Sequence, residues 1–301
     1  MVTVFALGAA LLYGSADFLG GMATRHAHVL SVLLVSSTAG MVVTAGAALL
    51  AGGAPQAAGV AWGIAAGAAG GVGFMFFYAG LAAGPMSVVA PLSALVSTVV
   101  PVAAALAEGE RLGLRVYAGA LLCVAAIAAI SSGGGQAVPE PSAAPARSRG
   151  TAVGPGTLVR RYGAARGIGY GIAAGLAFGT FFLFIHNGGE SGPLWTVAVA
   201  RLAGTLIVLA AAAATRTGPV PWRPDGRLFG TALGAGLLDA SANVSYVLAT
   251  RAGLFALAVV LTSLYPGVTV LLARVVLGER MNWVRRAGLA LAAAGILLVT
   301  V

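Results

Sequence analysis

The chain has 301 residues, of which 59% are hydrophobic and only 8% charged, and its mean hydropathy is +0.97. Soluble domains carry about 25% charged residues, so an ordinary water-soluble enzyme is excluded and most of the exterior must face lipid. The net charge of +9 comes from arginine alone, because the sequence has no lysine.

These arginines sit beside apolar runs, without the aromatic-interleaved basic patch that reads bases or phosphates, so no nucleic-acid partner is expected. The single cysteine, Cys123, lies within an apolar run, which leaves neither an intramolecular disulfide nor a cysteine-ligated metal site. No metal and no cofactor is expected.

Apolar stretches long enough to cross a hydrocarbon core need about 20 residues. In chain order the first half offers 2–22, 29–51, 58–83, 86–107 and 114–131. The first of these lacks the basic n-region of a signal peptide and is expected to be kept as a span. Residues 132–165 follow, with three consecutive glycines, four prolines, scattered serine and arginine, and no apolar periodicity. That composition predicts a mobile linker without chemistry of its own. The second half offers 167–186, 194–214, 228–250, 254–277 and 283–301.

An internal repeat organises these stretches. Gly109, Glu110 and Arg111 align with Gly278, Glu279 and Arg280, and the match extends from Gly84 with Gly253 to Ile127 with Ile296. Each half holds five spans, and an odd number forces homologous halves to enter the membrane from opposite sides. The expected fold is therefore an all-α membrane protein of ten transmembrane helices in two five-helix inverted-topology repeats. The repeats would occupy 1–131 and 166–301, joined by the linker.

The stretch Leu261, Thr262, Ser263, Leu264, Tyr265, Pro266, followed by Leu277, Gly278, Glu279, Arg280 and a last span from Trp283, resembles the ninth and tenth helices of EamA-type members of the drug/metabolite transporter superfamily. The likeness covers the chain outside the linker. The first repeat departs from it at Ser97, where the second has Pro266, and carries Pro101 four positions later. The resemblance implies a multi-pass cell-membrane transporter for amino acids, related metabolites or drugs, often exported. The expected partners are a small-molecule substrate, the lipid bilayer, a coupling proton and a second copy in a homodimer. Lipid or isoprenoid-carrier flipping and a non-transporting scaffold are the alternatives. Counting loop arginines places both termini outside, whereas the resemblance places both in the cytoplasm, and the sequence alone leaves both open.

Ionisable groups at membrane depth are costly and point to function or pairing. Asp239 falls near the middle of the eighth span, with Asn243 and Tyr246 at i+4 and i+7 on the same helical face. Such a stripe lines a cavity or packs against a neighbouring helix. Arg201, in the seventh span, would either neutralise Asp239 or bind a substrate carboxylate bidentately. Without Arg201 alongside, Asp239 could carry a proton; with it, Asp239 is structural. Tyr13 and Asp17 share a face of the first span, where Asp17 either serves the site or reaches headgroup water, and Tyr78 with Phe77 could wall the cavity. Arg274 can snorkel to the interface. Glu110, Arg111, Glu279 and Arg280, with Pro266 on the ninth span, are read as a helix-end motif that anchors tight loops, with a gating ion pair as the lesser reading. No HExxH, GxSxG or Walker spacing occurs, and a hydrolase would require His186 to meet a buried hydroxyl.

Overall fold

The computed structural model describes residues 1–24, 29–52, 54–83, 86–111, 113–132, 156–190, 192–214, 226–278 and 281–300. Among them the regular structure is entirely helical: α1 (Val2–Thr24), α2 (Val29–Leu50), α3 (Ala57–Ala83), α4 (Met86–Ala107), α5 (Leu114–Ser132), α6 (Gly156–Gly189), α7 (Pro193–Ala214), α8 (Gly226–Arg251), α9 (Phe255–Thr262), α10 (Tyr265–Leu277) and α11 (Trp283–Thr300). Helix is what such apolar sequences must adopt in hydrocarbon, because each backbone N–H and C=O has to find its partner within the segment. Among the described residues, seven segments are long and apolar enough to cross a membrane: α1, α2, α3, α6, α7, α8, and α9 with α10 taken together.

Two boundaries differ from expectation. The linker was expected to end at residue 165, but α6 already starts at Gly156. The ninth span was expected as one helix over 254–277, yet it breaks between α9 and α10. Pro266, at the start of α10, has no N–H for the Thr262 carbonyl, so the chain tightens there. Leu264 N–H bonds to Leu261 O at 3.3 Å and Gly267 N–H to Leu264 O at 2.9 Å. By contrast α4 runs unbroken past Pro101.

The helices pack in reciprocal fashion. α1 lies against α8, α9 and α10, while α6 lies against α3 and α4; α3 also packs on α7 as α8 packs on α2, and α5 packs on α11. Two glycines show how close these crossings are. A Cβ at Gly67, the eleventh residue of α3, would collide with the carbonyl of Ala200, the eighth of α7. A Cβ at Gly236, the eleventh residue of α8, would collide with the carbonyl of Ser36, the eighth of α2. Small residues allow this backbone approach, which holds helices together where lipid offers no hydrophobic drive.

One end of the bundle holds Val2 beside Gly253, Glu110 bonded to the start of α9, and Arg251 bonded to Gly189. We term it the amino-terminal end. At the opposite, linker end, Ile130 near the close of α5 meets Gly288 near the start of α11, and Val89 of α4 meets Gly171 of α6. The dense core sits toward the amino-terminal end: all of α9 is buried, packed with Ala6, Cys123, Ile185, Tyr246 and Val247.

Candidate functional site

A cavity of about 550 Å³ occupies the bundle from mid-depth toward the linker end. Its lining residues come from both halves of the chain, and they fall on two contrasting sides.

The first side belongs to α1, α7, α8 and α10. Tyr13 and Asp17 reach the cavity from α1, Arg201 from α7, Asp239 and Asn243 from α8, and Tyr265, Pro266 and Thr269 from the α9–α10 break. The Arg201 guanidinium is ion-paired with the Asp239 carboxylate, the two side chains being 16% and 33% exposed. The sequence left open whether Arg201 neutralises Asp239, and in this conformer it does. The amide Nδ2 of Asn243 donates to the backbone carbonyl of Asp239 at 2.8 Å, which leaves Oδ1 buried with no partner among the described residues. The Tyr13 hydroxyl is likewise buried with no partner among the described residues. Thr269 donates to the carbonyl of Gly14 at 3.1 Å, tying α10 to α1.

The second side belongs to α3 and α6. Phe74 and Phe77 from α3 and Phe178, Phe181 and Phe182 from α6 line the cavity there. Phe74 and Phe178 meet edge to face at 5.2 Å, and Phe181 and Phe182 at 5.4 Å, the offset arrangement that aromatic quadrupoles favour.

Equivalent positions on the two sides carry opposite chemistry. Asp239 and Asn243 are the fourteenth and eighteenth residues of α8; the fourteenth and eighteenth of α3 are Gly70 and Phe74. Gly14 of α1 crosses α10 at Tyr265 and Val268, and Gly179 of α6 crosses α4 at Ser97 and Val100; with these two glycines matched, Tyr13 corresponds to Phe178 and Asp17 to Phe182.

Tyr246 does not join the cavity wall, although it shares a helical face with Asp239. It is 1% exposed, and its hydroxyl donates to the Phe182 carbonyl at 3.2 Å, fastening α8 to α6 beneath the cavity floor. The side chain of Tyr78, and Glu279 and Arg280 altogether, lie outside the described residues. Its neighbour Phe77 does line the cavity.

Glu110 has a role the sequence did not reveal. Gly109, at φ 95°, ends α4 in the left-handed conformation and turns the chain so that Glu110 faces α9. Its Oε1 accepts from the Phe255 N–H at 2.6 Å and its Oε2 from the Ala256 N–H at 3.0 Å. A carboxylate from the first half therefore caps a helix of the second, at the end where the helix dipole favours negative charge. Arg251 bonds the Gly189 carbonyl close by, and the His186 ring stacks on Phe255 at 3.9 Å. His186 Nδ1 has no hydrogen-bond partner among the described residues. Gly278 repeats the left-handed turn at φ 67° at the close of α10.

Some lining residues were legible but unread. Phe178, Phe181 and Phe182 stand at i, i+3 and i+4, a stripe visible in the sequence. Arg285 counted only as a loop charge, yet the first turn of α11 brings it to the cavity rim at the linker end.

A family model for EamA-like transporters matches residues 1–132 and 165–301. The chain belongs to the EamA-like transporter family. It is thus a multi-pass integral protein of the cell membrane and a membrane transporter of the drug/metabolite type, a class whose members are transporters and not enzymes. No curated protein matches. A protein of known crystal structure aligns over 99% of this chain and 96% of its own at a TM-score of 0.75 and 18% identity, a likeness that concerns the fold alone.

Proposed function

We propose that this EamA-like protein is a secondary transporter that exports a small metabolite, amino-acid-like compound or drug by alternating access between two inverted five-helix repeats. The observation that carries the reading is the cavity: it reaches from mid-depth to the linker end, while the amino-terminal end is sealed by Glu110 on α9, Arg251 on Gly189 and His186 on Phe255. That is the form expected of one access state. The reciprocal crossings at Gly67 and Gly236 support the repeat, because eleventh residues meet eighth residues in both halves. A helix break beside the cavity also fits, since transporters commonly bind substrate at discontinuous spans.

In this reading Asp239 is held by Arg201, and the pair keeps α7 and α8 in register below the substrate. A shallow apolar groove of about 480 Å³ lies on the outer surface between α2 and α8 and shares no lining residue with the central cavity, so lipid flipping gains little from it.

The test is uptake and counterflow of a compound panel in proteoliposomes, with and without an imposed pH gradient. Transport of at least one compound, lost when cavity residues are replaced, is expected. Failure to move any compound by a correctly inserted protein, together with intact binding to a partner protein, would favour the scaffold. If Asp239→Asn abolishes gradient-driven accumulation while downhill exchange survives, Asp239 carries a proton and the static pair is wrong.

A further inference from the structure

Of the two carboxylates on the cavity wall, Asp239 is neutralised by Arg201, whereas Asp17 makes no ion pair among the described residues. Arg285 at the rim forms none with it within that set. Two further polar atoms, on residues that line this wall, have no hydrogen-bond partner among the described residues: the Tyr13 hydroxyl and the Asn243 amide oxygen, on side chains 9% and 2% exposed. A buried acceptor without a donor carries an energetic penalty that a ligand can remove. The rings of Phe74, Phe178 and Phe182 line the same cavity, and Phe182 meets Tyr13 edge to face at 6.2 Å.

Building on the transporter reading, the geometry points to a protonated primary amine with an aromatic or apolar body as the ligand, its nitrogen held at Asp17. An ammonium group brings three N–H donors. The Asp17 carboxylate, the Asn243 oxygen and the Tyr13 hydroxyl supply acceptors, and the phenylalanine side receives the body and adds attraction between ring faces and cation. An anionic ligand would meet the unpaired Asp17 and bring no donor for Asn243. A quaternary ammonium would satisfy the charge but not the acceptors.

The full-length protein in lipid nanodiscs is titrated calorimetrically with phenethylamine, its N,N,N-trimethyl derivative and 3-phenylpropionate. Phenethylamine should bind, the trimethyl derivative about tenfold more weakly or worse, and the acid not at all. Asp17→Asn should weaken phenethylamine about tenfold or more, and Asp17→Glu by much less. Equal binding of the primary and quaternary amines, binding of the acid, or an unchanged affinity in Asp17→Asn overturns the assignment. Where Asp17→Asn does not assemble, the three ligands on the unaltered protein decide. A protein that binds phenethylamine but moves nothing across a vesicle membrane supports the amine site and removes the transporter reading. One that transports another compound and binds no amine removes the amine site alone.

Discussion

The α1–α8 pair and the α3–α6 pair are built alike and chemically opposed. Each joins helices from different halves of the chain, each approaches the neighbouring pair at an equivalent glycine, and each faces the same cavity. Yet Tyr13, Asp17, Asp239 and Asn243 on one are answered by Phe178, Phe182, Gly70 and Phe74 on the other. The shared packing gives the two pairs a common geometry, and side-chain divergence supplies polarity within the cavity. In the proposed transporter, ligand orientation would follow from the second and the ability to open at either end from the first.

The largest effect should come from breaking the ionic side. Arg201→Gln strands the Asp239 carboxylate and should cost up to about 3 kcal/mol of stability, the figure being tempered by Asp239's partial exposure to the cavity. The double variant Arg201→Gln with Asp239→Asn should recover most of that loss in thermal unfolding. No recovery would mean the two residues act separately.

On the aromatic side, Phe182→Ala removes a ring that packs on Tyr13, Phe181 and Tyr246, and about 2 kcal/mol of destabilisation is expected, less than for a fully enclosed ring. Ligand affinity should fall without a change in which head group is preferred. A switch in head-group preference would show that the two sides do not divide the work as described.

Tyr246 ties the sides together, and Tyr246→Phe deletes only its bond to the Phe182 carbonyl. About 1 kcal/mol is expected, with binding preserved. The smallest effect should follow from severing the chain within 136–150: the two coexpressed pieces should still assemble and transport, because helix packing and not the connection holds such bundles. Pieces that insert but do not associate would contradict this.

Much of the fold was readable because membrane spans announce themselves by length and apolar content, and Gly109–Glu110 recurring as Gly278–Glu279 suggested the repeat on which the proposed function rests. The break in the ninth span was hinted at by Pro266, but Pro101 sits inside an unbroken α4, so proline alone does not say where a helix yields. For the site, Asp17, Tyr13, Arg201, Asp239 and Asn243 stood out as costly groups at depth, and all five line the cavity. Tyr246 shared their periodicity yet points into the packed core, since a helical face is wider than the cavity it borders. Glu110's grip on α9 was not readable: the partners lie 145 and 146 positions apart and are backbone amides, which leave no mark in residue identity.

The central claim, that one cavity is exposed alternately at the two ends, is tested most directly by thiol accessibility. Cys123 is the only cysteine, so Cys123→Ala gives a clean background for Ser37→Cys on the cavity wall. A membrane-impermeant maleimide applied to one face of sealed, oriented vesicles at a time should label this position from both faces, and Glu110→Ala, by freeing the start of α9, should raise the rate from the amino-terminal face. Labelling from the linker face alone, unchanged by Glu110→Ala, would contradict the account.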